Sequence, residues 1–167
     1  MAGMIDVDAI TPLVAPLADA LRAKGWRLAT AESCTGGLIA AACTTLAGSS
    51  DWFERGFVTY SNAAKVEQLG VDVALIDKHG AVSEAVVRAM VAGALIRSPA
   101  ELAVAVTGIA GPGGGVPGKP VGTVWLAVMQ RGGAPQAERL QLDGDRASVR
   151  AQSVVIALQR LLALCEG

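Results

Sequence analysis

The stretch Thr30-Ala31-Glu32-Ser33-Cys34-Thr35-Gly36-Gly37 lies where an apolar strand gives way to a helix of small residues, and the reading of that junction decides the fold. Leu28 and Ala29 read as the end of a short strand and Leu38 to Leu46 as the helix, so Ser33, Thr35 and both glycines fall at the helix N-terminus. The start of a helix leaves backbone N–H groups without intrahelical partners, and these point at whatever occupies the turn. A hydroxyl placed before them is either a cap or a nucleophile beside an oxyanion site. Taken alone, the segment favours the cap, because Ser and Thr are ordinary N-caps and paired glycines mark tight turns.

Outward from this junction, the pattern alternates. Asp6 to Lys24 carries apolar residues at Val7, Ile10, Val14, Leu17 and Leu21, a spacing that predicts an amphipathic helix closed by Gly25. Strands are predicted over Trp26 to Ala31, Arg55 to Tyr60, Glu101 to Val106, Val121 to Met129 and Gln136 to Leu142. Between them, helices are predicted over Leu38 to Leu46, over Ala63 to Leu69 after the cap Asn62, over Glu84 to Ile96 after Ser83, and over Arg146 to Leu164 after Asp145. Such alternation indicates an α/β domain with a largely parallel sheet. The link Arg131-Gly132-Gly133-Ala134-Pro135 is too short for a helical crossover, so the last two strands should pair as a hairpin and make the sheet mixed. Ile109 to Pro120 is rich in glycine and proline and reads equally as a flexible connector.

The chain has 167 residues, enough for one domain with a substantial core, and the expected domain runs over 1–167. Aromatic residues are only 4% against 52% hydrophobic, so the core must be built from Ala, Val, Leu and Ile. A net charge of −1 gives no long-range field to attract nucleic acid or an acidic membrane surface, and any bound anion must be held by a local cluster. Cys34, Cys43 and Cys165 show no metal-ligand spacing and His79 is the single histidine, which argues against a zinc site or a disulfide framework. Asp6 and Asp8 stand where a secretory signal would be positive, and no apolar run approaches a membrane span. A cytoplasmic location is expected.

Ser33, Tyr60 and Thr107 each close a predicted strand. If the three strands are parallel, their hydroxyls emerge on the edge where open α/β sheets bind ligands. Lys65, third in its predicted helix after Asn62, opposes the helix dipole there; it is either a surface lysine or a base whose pKa is lowered by that terminus and by burial. Glu32 should face away from Ser33 if both are still in the strand, and reads either as structural or as a residue supporting those of the site. Cys34 competes as nucleophile, since a thiol at a helix N-terminus is acidified, yet free cysteines are more often core residues. His79 reads as a surface residue before the Ser83 cap. Arg146 and Arg150, one turn apart, form either a solvated face or, with the helix N-terminus, a phosphate site.

Three segments in this order, Leu28 to Gly37, Gly56-Phe-Val-Thr-Tyr60-Ser-Asn62-Ala-Ala-Lys65 and Thr107-Gly108-Ile-Ala-Gly111-Pro112, resemble the C-terminal amidohydrolase domain of the CinA family. The resemblance is greatest to the stand-alone members that remove the amide from nicotinamide mononucleotide, and it runs from Val7 to the C-terminal helix. It implies a three-layer α/β/α fold and hydrolysis of that nucleotide to nicotinic acid mononucleotide and ammonia. It implies Ser33, Lys65 and Tyr60 as catalytic residues. Thr35, Gly36, Gly37, Asn62, Thr107, Gly108, Gly111, Arg146 and Arg150 would contact substrate. No cofactor or metal is implied; the expected partners are the small nucleotide and further copies of the chain in a homo-oligomer. The pyrophosphatase domain of the larger members finds no room in this chain. A rival reading is a non-catalytic module that binds a nucleotide through its glycine-rich turns and uses Ser33 only as a cap.

Overall fold

A computed structural model describes residues 6–167; residues 1–5 of the expected domain, and the side chains of Val7 and Asp8, lie outside the description. In chain order the elements are α1 (Val7–Lys24), β1 (Leu28–Glu32), α2 (Leu38–Cys43), a 3-10 turn (Ser49–Asp51), β2 (Phe53–Val58), α3 (Asn62–Leu69), α4 (Val73–His79), α5 (Glu84–Ile96), β3 (Leu102–Gly108), β4 (Thr123–Gln130), β5 (Gln136–Gln141) and α6 (Arg146–Glu166). One sheet runs in the order β2-β1-β3-β4-β5. β1 lies parallel to both β2 and β3, whereas β4 is antiparallel to β3 and to β5. The expected mixed sheet with helices on both faces is therefore present.

Alternation along the central strands divides the core into two unlike halves. Leu28, Leu102, Val104, Val106, Val124, Leu126 and Val128 face α1, α2 and α6. On the other face the same strands carry Ala29, Ala31, Ala103, Ala105 and Ala127, so α5 can pack close to the sheet. A similar economy operates at Gly93 of α5, where an added Cβ would meet the carbonyl oxygen of Leu69. Gly93→Ala is thus expected to destabilise the fold by about 1–3 kcal/mol despite alanine's better helix propensity, a change that chemical denaturation would register as a lower midpoint.

Several boundaries differ from the sequence reading. β1 begins at Leu28 because the Trp26 N–H still closes α1 by donating to the Leu21 carbonyl (2.9 Å). β2 spans Phe53–Val58 and ends two residues before Tyr60. The cap of α3 is Ser61, whose hydroxyl accepts from the Ala64 N–H (3.0 Å), and not Asn62, which is the first helical residue. Lys65 is consequently the fourth residue of its helix. An additional short helix, α4, follows the cap Asp72 and ends at the exposed His79.

The connector between β3 and β4 is tied down along its length: the Gly122 N–H donates to Ile109 O, Arg139 bonds Gly118 O, Lys119 bonds His79 O and Arg146 bonds Gly111 O. Contrary to the sequence reading, α6 is long and apolar enough by length and composition to cross a membrane, with a mean hydropathy of 1.3. It is a core helix. Val149, Val154, Ala157, Leu158 and Leu161 are buried, and the helix packs on α1, α2, β3 and β4.

Candidate active site

The parallel arrangement of β1, β2 and β3 brings three chain segments to one edge of the sheet. Ser33 follows β1 directly, and its N–H still donates to Val106 of β3 (3.0 Å). Thr59 follows β2, with its N–H on the Glu32 carbonyl (2.8 Å), so Tyr60 is carried to the same edge. Thr107 belongs to the end of β3. A cavity of about 200 Å³ opens there, lined by Ser33, Cys34, Tyr60, Asn62, Lys65, Ala81, Val82, Thr107, Gly108, Ala110 and Arg146.

Lys65 is 1% exposed, and its Nζ lies 3.0 Å from Ser33 Oγ, 2.9 Å from Thr59 O and 3.3 Å from Tyr60 O. Among the described residues no carboxylate stands within ion-pair distance of it. Burial without a counter-charge disfavours the ammonium form and holds its pKa below the ordinary 10.5, with the Cys34 thiol opposing weakly. The two carbonyls can only accept, so they engage two N–H groups of the amine. Its third position faces Ser33, and in the neutral amine that position is a lone pair able to accept the serine proton.

Cys34, beside Ser33, is buried, and desolvation pushes its thiol up to about 11. The acidification expected from a helix N-terminus does not prevail, because burial is the larger effect. Glu32 explains why that terminus is weak as an anion site. Its side chain is fully buried and accepts from the Thr35 hydroxyl (2.6 Å) and from the N–H groups of Ile39 (2.8 Å) and Ala40 (3.1 Å), so a carboxylate from the strand already occupies the start of α2.

The remaining predicted residues divide between the cavity and its surroundings. Asn62, Thr107, Gly108 and Arg146 line it. The Thr107 hydroxyl donates to Ala81 O (3.0 Å). Arg146 donates to the Tyr60 hydroxyl (2.9 Å) and to Gly111 O (3.0 Å), so Gly111 shapes the mouth through its carbonyl without lining the cavity. Thr35, Gly36 and Gly37 also stand outside the lining; Gly36 and Gly37 take left-handed φ of 58° and 102° and turn the chain into α2. Arg150 departs from Arg146 and reaches the turn, donating from Nε to Cys34 O (3.1 Å) and from a terminal nitrogen to Thr35 O (3.4 Å). Sequence reasoning missed Ala81, Val82 and Ala110, apolar wall residues whose side chains carry no chemical signal.

Comparison with known proteins converges on one group. A nicotinamide-nucleotide amidohydrolase PncC of Pseudomonas putida is 56% identical over 158 residues, spanning 95% of this chain and 98% of the relative. The protein of the same name from Escherichia coli K12 is 53% identical over 142 residues, 85% of this chain and 86% of its own length. The crystal structure of the competence/damage inducible protein CihA from Agrobacterium tumefaciens superposes with a TM-score of 0.90 at 47% identity, covering 93% of this chain and 94% of that one. The family model described as the CinA C-terminal domain matches residues 10–165, nearly all of the sheet and helices that frame the Ser33–Lys65 cavity, and the chain belongs to that family.

Proposed function

We propose that this chain hydrolyses the carboxamide of nicotinamide mononucleotide to nicotinic acid mononucleotide and ammonia, with Ser33 as nucleophile. The observation that carries the reading is the 3.0 Å approach of a buried lysine amine, lacking any carboxylate partner, to the Ser33 hydroxyl. The relatives named for this activity support the substrate.

In the first half-reaction neutral Lys65 takes the Ser33 proton as Oγ bonds the carboxamide carbon, and the N–H of Cys34, the turn residue that lines the cavity beside Ser33, receives the charge that develops on the carbonyl oxygen. Lys65, now an ammonium, gives its proton to the departing nitrogen. The C–N bond breaks, ammonia leaves, and a nicotinyl ester remains on Ser33. Water then attacks the ester carbon and yields its proton to Lys65, and collapse of the second intermediate returns that proton to Ser33 Oγ and releases the carboxylic acid. Tyr60, with its hydroxyl accepting from Arg146, orients groups at the mouth.

Incubation of the purified protein with nicotinamide mononucleotide should release ammonia and nicotinic acid mononucleotide in equal amounts; binding without release of either would favour the non-catalytic module. Arg146, exposed at the mouth, is the cation assigned to the phosphate. Arg146→Ala is expected to raise KM for the nucleotide by about 10- to 100-fold, as befits a charge-assisted bond of roughly 1.5–3 kcal/mol, and to leave hydrolysis of nicotinamide riboside almost unchanged. Equal losses on the two substrates would instead mean that Arg146 serves the reaction itself through Tyr60.

A further inference from the structure

The amine of Lys65 is buried, lines the cavity and spends two of its hydrogen-bonding directions on Thr59 O (2.9 Å) and Tyr60 O (3.3 Å). Buried charges are ordinarily paired, yet among the described residues no carboxylate reaches this amine. The hydrolysis produces one. We propose that the Ser33–Lys65 cavity also binds pyridine-3-carboxylate nucleotides, held as anions against the ammonium form of Lys65, so that the product of the reaction inhibits it. The proposal rests on the serine mechanism above and extends it to the regulation of the same site.

The place of the anion follows from the covalent step. The carbon that bonds Ser33 Oγ is the carbon that becomes the carboxylate, and Oγ lies 3.0 Å from Lys65 Nζ. When water has opened the ester, the new carboxylic acid therefore stands beside the amine, gives its proton to the nitrogen lone pair and leaves a carboxylate facing an ammonium. The third N–H of that ammonium, directed at Ser33, donates to a carboxylate oxygen. Ser33 and Cys34, both in the lining, offer a hydroxyl and a backbone N–H as further donors. Unlike charges attract strongly where water is excluded, and such a pair holds when its remaining lone pairs are bonded. The carboxamide of the substrate is neutral and suits the neutral amine, so substrate and product select opposite protonation states of one lysine.

The charged and titratable groups around Lys65 come from several elements. In the turn after β1, the buried Cys34 thiol titrates near 11, and Glu32 is bonded to Thr35, Ile39 and Ala40 on the α2 side. Tyr60 and Arg146 line the mouth, the arginine keeping its charge throughout, and Arg150 is bonded to Cys34 O. Although α4, α5 and β2 pack against α3, Asp77, Lys78, His79, Glu84 and Arg88 stand outside the lining, and Glu54 and Arg55 pair with each other. Burial holds the Lys65 pKa below 10.5, and that value sets where its two states exchange.

The test measures Ki of nicotinic acid mononucleotide against ammonia release from nicotinamide mononucleotide at a series of pH values above about 7, where the second phosphate ionisation, near 6, is complete. Inhibition should be competitive, with Ki flat while free Lys65 is protonated and then rising about tenfold per pH unit, breaking where kcat/KM reaches its plateau. Calorimetry in buffers of unlike ionisation heat should show about one proton taken up per product bound on the alkaline side of that break. On its acid side, Lys65→Met should bind the product about 10- to 100-fold more weakly than the parent, with no break in its pH dependence. A Ki that stays constant through the break, product binding without proton uptake, or parental affinity in Lys65→Met would each overturn the proposal. Should Lys65→Met fail to fold, the Ki profile and the proton uptake of the parent decide alone. Ammonia release together with any of those adverse results sinks only this inference, whereas absence of ammonia release sinks the reading beneath it.

Discussion

Replacing Ser33 with alanine is expected to lower turnover of nicotinamide mononucleotide by about ten thousand-fold or more, because it removes the atom that forms the covalent bond. The fold should survive. Only a small hydroxyl bonded to Lys65 is lost, and the turn keeps its Glu32 and backbone bonds. Circular dichroism of the variant should match the parent while ammonia release disappears. The companion change Cys34→Ala should retain most activity, since a buried thiol titrating near 11 is almost wholly protonated at neutral pH. A folded Ser33→Ala protein that still released ammonia at the parental rate would end the serine mechanism, and a heavier loss at Cys34 would transfer the role to sulfur.

Lys65→Met should lower kcat by roughly a thousandfold with a far smaller change in KM, the signature of a group that moves protons rather than binds substrate. The base works only when neutral. In the parent enzyme kcat/KM should therefore climb with pH and level off once the medium passes the lysine's pKa, at a point below the ordinary 10.5. The methionine variant should lose that slope. Stability offers a second readout with its own sign: the unfolded chain binds a proton at Lys65 up to pH 10.5, whereas the folded chain releases it at lower pH. The parent should thus gain stability relative to Lys65→Met as pH rises through the interval between the lowered value and 10.5, and above that interval the difference should be flat. Identical pH profiles of rate in parent and variant would rule out the pairing of Ser33 with Lys65.

What the sequence disclosed was governed by periodicity and by turn chemistry. Apolar runs ending in Ser33, Tyr60 and Thr107 marked strand termini, and the parallel pairing of β1 with β2 and β3 then placed them on one edge. Errors arose where two adjacent residues suit the same task. Ser61 and Asn62 are both good caps, and choosing the wrong one shifted Lys65 by a place in its helix. α4 escaped notice because seven residues make barely two turns of pattern. Glu32 keeps the alternation of β1 and shares the face of Leu28 toward α2, but its bonds to the N–H groups of Ile39 and Ala40 depend on how α2 docks, which no local pattern reports. Arg146 and Arg150 share a helix face by spacing, yet long side chains from one face can serve different neighbours: one reaches Tyr60, the other Cys34.

The cavity draws on segments from Ser33 to Arg146, so its last contributor in chain order is α6. Without α6 the cavity would lack Arg146 at its mouth and Arg150 on the turn, and the sheet face that carries Leu28, Val104 and Leu126 would lose part of its cover. Competence for the reaction therefore depends on the docking of α6 against α1 and α2, and a chain clipped before that helix should be both inactive and less stable.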